Sequence, residues 1–273
     1  MQLTLGYSPC PNDTFIFGAL ALGLVSVPDV SFDIRLEDVE TLNQWAVRSA
    51  LDVTKASFAA YVTGGMRNAY ALLASGAALG RGCGPLVVAR NPLSIADLRG
   101  ARIATPGRLT TAHLLLRLFL SEATMLTQMP FEKIMPAVAA GHYDAGVIIH
   151  ESRFTYSGYG LHKVADLGEW WERETGRPLP LGGIFARRTL GAPTLHALET
   201  GIADSLRFAQ ANPGRVAEYV RRHAQELDAD VRASHIALYV NEFSLDLGDE
   251  GRAALDALAA RADALPCDAD SPY

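Results

Sequence analysis

Apolar residues change period along the chain in a way that lays out alternating strands and helices. "LTLGY" (Leu3 to Tyr7) reads as a strand, and "SPCPNDT" as a turn in which Asn12 or Asp13 caps the apolar helix that follows. "VSFDIRL" sets Val30, Phe32, Ile34 and Leu36 against Ser31, Asp33 and Arg35, the period-two signature of a half-buried strand. "DVETLNQWAVRSA" returns to helical spacing, with Val39, Leu42 and Ala46 on one face. A third strand, "LDVTKA" (Leu51 to Ala56), runs into "SFAAYV", where Ser57 is the expected cap.

The alternation continues with strands at "YALLAS" and "LVVAR", separated by the glycine-rich "GAALGRGCGP". After the turn at Asn91 and Pro92 a strand is expected at Arg102 to Thr105. The helices "TTAHLLLRLFLSEA" and "FEKIMPAVAAG" come next, then the strand "DAGVIIH" and the amphipathic "LGEWWERETG". "PLPLGGIFARR" reads as a returning strand, and the remainder is helical with breaks at Pro193, Pro213, Asp228 and Gly248.

Strands that alternate with helices predict mostly parallel sheets covered on both faces, and two such blocks predict an α/β protein with two sheets. The expected division is residues 1–89 with 187–273 as a larger domain and 90–186 as a smaller one, with crossings near 88–92 and 183–188. A cleft between them is the expected ligand site.

Composition narrows the function classes. A net charge of −6 over 273 residues argues against nucleic-acid or anionic-membrane partners, which need clustered positive charge. The apolar run Phe15 to Val27 falls short of the ~20 residues that cross a bilayer, and no basic segment precedes it. A soluble, unprocessed chain is expected. Cys10, Cys83 and Cys267 leave one thiol unpaired in any scheme, which suits a reducing cytoplasm. Only Lys55, Lys133 and Lys163 are lysines, so each is easily weighed as a site candidate.

Candidate chemistry gathers where strands end and helices begin. "VIIHESRF" passes from branched apolar residues to His150 in one step. Position alone leaves open whether this histidine is catalytic or only bonded to backbone at a strand end. In "ATPGRLTTAH", Thr110 or Thr111 caps a helix whose free N–H groups suit a carboxylate or phosphate, although no P-loop lysine follows. In "TKAS", Lys55 is either a charge anchor or an amine for a Schiff base, and capping alone would explain Ser57. Cys10 is read as a small packed residue. Gly80, Gly82 and Gly84 lead into a strand and so do not form a dinucleotide loop. The histidines at 113, 142, 150, 162, 196, 223 and 235 show no paired metal-ligand spacing, and no metal is expected.

Taken in order, "SPCPNDTF", "LEDVETLN", "TKAS", "GPLVVAR", "PGRLTTA", "GVIIHESRFTY", "DLGEWWE" and "YVNEFSLDLG" make the chain resemble the 1,4-dihydroxy-6-naphthoate synthases of the futalosine route to menaquinone. The resemblance implies a periplasmic-binding-protein-like fold of type II, used as a cytoplasmic lyase. Its substrate would be cyclic dehypoxanthinyl futalosine, a small carboxylate, and dihydroxyacetone would leave as one product without any cofactor. It also implies His150 as general base and substrate contacts from Lys55, Ala56, Ser57, Thr110 and Thr111, with Asn43 and Asn12 as further pocket-lining candidates. The competing readings are a sister enzyme, chorismate dehydratase, and a non-catalytic solute-binding protein for a small anion. Oligomeric state, monomer or dimer, is left open.

Overall fold

The computed structural model describes residues 1–120, 125–224 and 228–265. Among them lie two sheets, each flanked by helices. In chain order the first sheet begins with β1 (Gln2–Tyr7), α1 (Pro11–Ala21), β2 (Ser31–Leu36), α2 (Val39–Val47), β3 (Val53–Ser57), α3 (Phe58–Thr63), β4 (Tyr70–Leu72) and β5 (Ala78–Gly80). The second is built from β6 (Leu86–Ala89), β7 (Arg102–Thr105), α4 (Thr111–Phe119), β8 (Met125–Gln128), α5 (Phe131–Ala139), β9 (Ala145–Ile148), α6 (Ser152–Thr155), β10 (His162–Asp166) and α7 (Leu167–Thr175). The chain then returns through β11 (Leu179–Arg187) to the helices α8 (Ala192–Ala211), α9 (Pro213–His223), α10 (Ala229–Tyr239), α11 (Glu242–Leu245) and α12 (Gly248–Asp263).

Strand order is β2-β1-β3-β11-β4 in the first sheet, with β5 also on β11, and β10-β6-β9-β7-β8 in the second. Both sheets are mixed. β1 pairs in parallel with β2 and β3, and β7 with β8 and β9. Antiparallel ladders form where the chain passes between sheets: β11 against β3, β4 and β5, and β6 against β9 and β10.

Pairing places the changeover between sheets earlier than the expected boundaries. Residues 86–89, expected in the first domain, pair in the second sheet, and 179–187, expected mostly in the second, pair in the first. The composition of a crossing strand is uninformative about which sheet it joins, because it is apolar on both faces either way. β6 shows this: Val87 and Ala89 join a core shared by both lobes, while Leu86 and Val88 pack with Ile134, Met135 and Val138 of α5. The glycine-rich approach to β6 is a close packing point. A Cβ on Gly84 would stand 2.2 Å from the backbone nitrogen of Gly168, so this crossing requires glycine.

Local chemistry explains three further differences. α1 starts at Pro11, with Cys10 in the N-cap position and no side-chain cap, so neither Asn12 nor Asp13 caps it. Proline favours the first helical position, where a missing N–H costs nothing. Both polar side chains are thereby released toward the cleft. Ser57 holds the N-cap position of α3 without a capping bond, whereas Thr110 does cap α4 by accepting from the His113 N–H at 3.2 Å. The helix expected to reach Ala123 ends at Phe119; its last expected residues, 121–123, lie outside the described residues, and β8 follows. β8 and β10 carry too few apolar residues to announce themselves as strands.

α8, α9 and α10 pack on α1, and α12 packs on α3 and β11. α1 is therefore covered on all sides, with ten of its residues buried from Pro11 to Leu20. That burial accounts for an apolar run without helical amphipathicity.

Candidate active site

A cavity of about 650 Å³, counting its mouth, lies between the two sheets beyond the carboxyl ends of β3, β7 and β9. From the first lobe it is lined by Asn12 and Asp13 of α1, Lys55, Ala56 and Ser57 of β3, and His235 and Tyr239 of α10. The second lobe contributes Thr110, Thr111 and Ala112 at the start of α4, and Ile149 and His150 just after β9. Every residue expected at the site except Asn43 lines this cavity.

Asn43 stands one layer behind. It is wholly buried, its carbonyl accepts from the Ser57 N–H at 2.7 Å, and its amide donates to Ser57 Oγ at 3.0 Å. It therefore fixes Ser57 and is not among the residues that line the cavity. Asn43→Leu leaves the Ser57 N–H without its acceptor, an expected loss of about 1–3 kcal/mol, measurable as a lower urea midpoint at unchanged m-value.

Lys55 is engaged before any ligand arrives. Its ammonium lies 3.2 Å from Asp13 Oδ1 and donates to the Gly76 carbonyl at 3.0 Å, with both side chains of the ion pair buried. An ammonium has three N–H donors, so one remains for the cavity. Asp13 is held in turn by the Ser8 hydroxyl at 2.7 Å and the Asn12 amide at 2.9 Å.

The threonines tie the lobes together. Thr111 Oγ1 donates to the Leu181 carbonyl of β11 at 2.7 Å and accepts from the Ala59 N–H at 3.2 Å. Thr110 Oγ1 donates to the Gly107 carbonyl at 2.7 Å. With both hydroxyls committed, the polar offering of this helix start to a ligand is its first-turn N–H groups, which lack intrahelical acceptors. Glu40 of α2 reaches the same segment and accepts from the Leu109 N–H at 3.1 Å; burial pushes its carboxyl up to about 7 against opposing hydrogen bonds from Gln44, Asn43 and Leu109.

His150 occupies the left-handed region, at φ 56°, in the turn from β9 toward α6. A non-glycine residue there is uncommon, and such positions concentrate at functional sites. The ring meets Phe131 edge-on at 5.0 Å and stacks at 6.3 Å on His235. Its Nε2 is shielded from solvent and has no hydrogen-bond partner. Burial lowers its pKa below the usual histidine value, and the charge of Lys55 acts in the same sense, while Glu151 and Asp13 oppose. The imidazole is thus neutral near pH 7.

Around it stand groups that no motif announced. His235 Nε2 lies 2.9 Å from Asn12 Oδ1, its Nδ1 lies 3.8 Å from Glu151 Oε2, and burial together with His150 lowers its pKa to about 3. Cys10, buried as expected, sits with His150 and Glu151 in the group among the described residues whose donor atoms lie close enough to hold a metal ion. Histidine spacing could not indicate this group, because Cys10 lies far along the chain from the adjacent His150 and Glu151. Arg153 is structural: it pairs with Asp166 at 2.8 Å and donates to the Gly84 carbonyl, bracing the loop that carries His150.

Residues 3–264 match the family described as menaquinone biosynthesis. The chain belongs to this family. A curated relative from Thermus thermophilus, named 1,4-dihydroxy-6-naphtoate synthase, is 52% identical over 99% of this chain and 97% of its own. A second with the same name, from Streptomyces coelicolor, is 49% identical over 95% of this chain and 92% of its own. Among solved structures, a protein of Archaeoglobus fulgidus superposes with a TM-score of 0.90 at 35% identity, covering 96% of this chain and 97% of that one. The alkanesulfonate-binding protein of Xanthomonas axonopodis pv. citri, bound to MOPS, gives a TM-score of 0.69 at 18% identity over 97% and 94% of the two chains. That likeness establishes the periplasmic-binding-protein-like fold.

Proposed function

We propose that this protein is a 1,4-dihydroxy-6-naphthoate synthase, a carbon–carbon lyase acting on cyclic dehypoxanthinyl futalosine, with His150 as its general base. The observation that carries the assignment of the base is a neutral imidazole whose Nε2 has no partner, at the wall of the cavity between the lobes. A neutral histidine removes a hydroxyl proton; the carbon–carbon bond beyond that oxygen then breaks in the retro-aldol sense, releasing dihydroxyacetone. The same ring returns the proton as the bicyclic remainder becomes aromatic.

The rest of the cavity supplies the electrostatics. The third N–H of Lys55 is available to the substrate carboxylate, and its pairing with Asp13 and Gly76 pins the ammonium in place. The N–H groups at the start of α4 face developing negative charge with the favourable end of the helix dipole. Ser57, oriented by Asn43, offers a hydroxyl on the opposite wall. A cytoplasmic location goes with this biosynthetic role. In its support, no helix among the described residues is long and apolar enough to cross a membrane.

Product analysis after incubation with cyclic dehypoxanthinyl futalosine tests the reading: dihydroxynaphthoate and dihydroxyacetone are expected in equal amounts. Binding without conversion would leave a solute-binding protein, and conversion of chorismate instead would indicate the sister dehydratase. In the same assay kcat/KM is expected to hold down to pH values below the ordinary histidine pKa of ~6.5 and to fall only as the depressed pKa of His150 is crossed. An acid limb centred above ~6.5 would count against His150 as the base.

A further inference from the structure

Four lone-pair donors meet beside the cavity, and they come from both lobes. Cys10 Sγ, a ring nitrogen of His150 and a carboxylate oxygen of Glu151 lie within 4.8 Å of one another, and His235 Nδ1 is 3.8 Å from Glu151 Oε2. Cys10 belongs to the start of α1 and His235 to α10, whereas His150 and Glu151 follow β9. Cys10, Glu151 and His235 are only 4%, 7% and 1% exposed.

Nothing within the cluster satisfies these atoms. His150 Nε2, Glu151 Oε2 and His235 Nδ1 are all buried without a hydrogen-bond partner. The tautomer of His235 follows from its neighbours: Asn12 donates its amide to Asp13, so its carbonyl faces His235 and requires the hydrogen on Nε2. Nδ1 therefore presents a lone pair. Buried lone pairs left unpaired are costly, and a water molecule, with two hydrogens, satisfies at most two of the three. A cation satisfies all of them and the thiolate as well.

We propose that Cys10, His150 and Glu151, with His235 Nδ1 as fourth ligand, form a site for a zinc-class divalent cation whose occupancy reversibly shuts off the enzyme. Sulfur, two imidazoles and one carboxylate are the ligand set of zinc and not of magnesium or calcium. Donor atoms within 4.8 Å of one another reach zinc bonding distances of about 2.0–2.3 Å through side-chain movements under about 1 Å. Binding converts the thiol to a thiolate, its proton leaving to solvent. The cation takes the lone pair that the proposed base needs and links the lobes across the cavity. The inhibitory half of this inference rests on the proposed function, whereas the binding half does not.

The test uses the whole purified chain with cobalt(II) alone as a spectroscopic probe and zinc(II) alone as competitor. One cobalt per chain is expected, with thiolate-to-metal charge-transfer absorption that zinc abolishes. Cys10→Ser should remove that absorption and weaken zinc binding by at least the ~10–100-fold that loss of even an outer-shell partner costs. Cys10→Ala serves if the serine variant does not fold. In turnover assays zinc should inhibit the wild type, a chelator should restore it, and the Cys10 variant should keep its metal-free rate while resisting zinc. The site is overturned if cobalt shows no thiolate band or if zinc binds both proteins equally; its inhibitory role is overturned if the zinc-bound enzyme turns over at the metal-free rate. A wild type that binds cobalt through its thiolate yet makes no product without metal supports the site and counts against the proposed activity.

Discussion

Replacing His150 by asparagine is expected to lower turnover by about 10²–10⁴-fold, the usual contribution of general acid–base catalysis, while leaving substrate binding within a fewfold of wild type. Asparagine is the sharper choice because the residue sits at φ 56°, where short polar side chains are tolerated and alanine is strained. His150→Ala should lose the same activity and additionally lose stability, by about 1 kcal/mol. The imidazole itself contributes little to the fold, since its Nε2 bonds to nothing and its ring contacts are with Phe131 and His235. Product formation and thermal midpoints measured on both variants separate the two effects. Turnover near wild type in the asparagine protein would remove His150 from the mechanism.

Lys55→Met is expected to act on stability and binding together. The methionine fills much the same volume but strands the Asp13 carboxylate in a buried position, where breaking an ion pair from one side typically costs about 3–5 kcal/mol. The bonds Asp13 keeps with Ser8 and Asn12 place the expected loss near the lower end, about 3 kcal/mol. Combining Lys55→Met with Asp13→Asn should recover much of that loss, because no lone charge then remains buried, and the interaction energy of the cycle reads out the pair. Substrate affinity should stay weak in the double variant, because the N–H offered to the carboxylate is gone. Urea unfolding for stability and KM for binding distinguish the contributions. If the double variant is no more stable than Lys55→Met alone, the charge pairing is not what holds this wall of the cavity.

The architecture was legible because burial alternates differently on strands and helices. β1, β2, β3, β7 and β9 all stand where period and flanking turns put them. What the pattern left out has physical causes. β6 and β11 are apolar on both faces, so their sequences state that they are buried but not in which sheet. Pro11 moved the start of α1 and made Asn12 and Asp13 part of the cavity wall and not caps.

At the site, position beside strand ends marked His150, Lys55 and Thr110 as candidates, and all three line the cavity. His235 lies within α10, in "RASHIALY", where a histidine on an apolar face looks like any buried histidine. Its significance depends on contacts with Asn12 and Glu151 that are more than eighty residues away along the chain. Asn43 illustrates the converse: the motif pointed to it, but it acts by gripping Ser57 from behind.

The placement of β11 bears on how the polypeptide comes off the ribosome. This strand is wedged between β3 and β4 and also pairs with β5, yet it lies beyond every strand of the second lobe in the chain. Until residues 179–187 emerge, the amino-terminal third has edges of β3, β4 and β5 with no strand to join them. Such unpaired edges are templates for association with other chains. The second lobe, whose five strands are contiguous in sequence, is free to fold first. Nascent chains stalled before β11 should therefore be protease-sensitive in their first eighty residues and protected beyond them, the reverse of simple amino-to-carboxyl order.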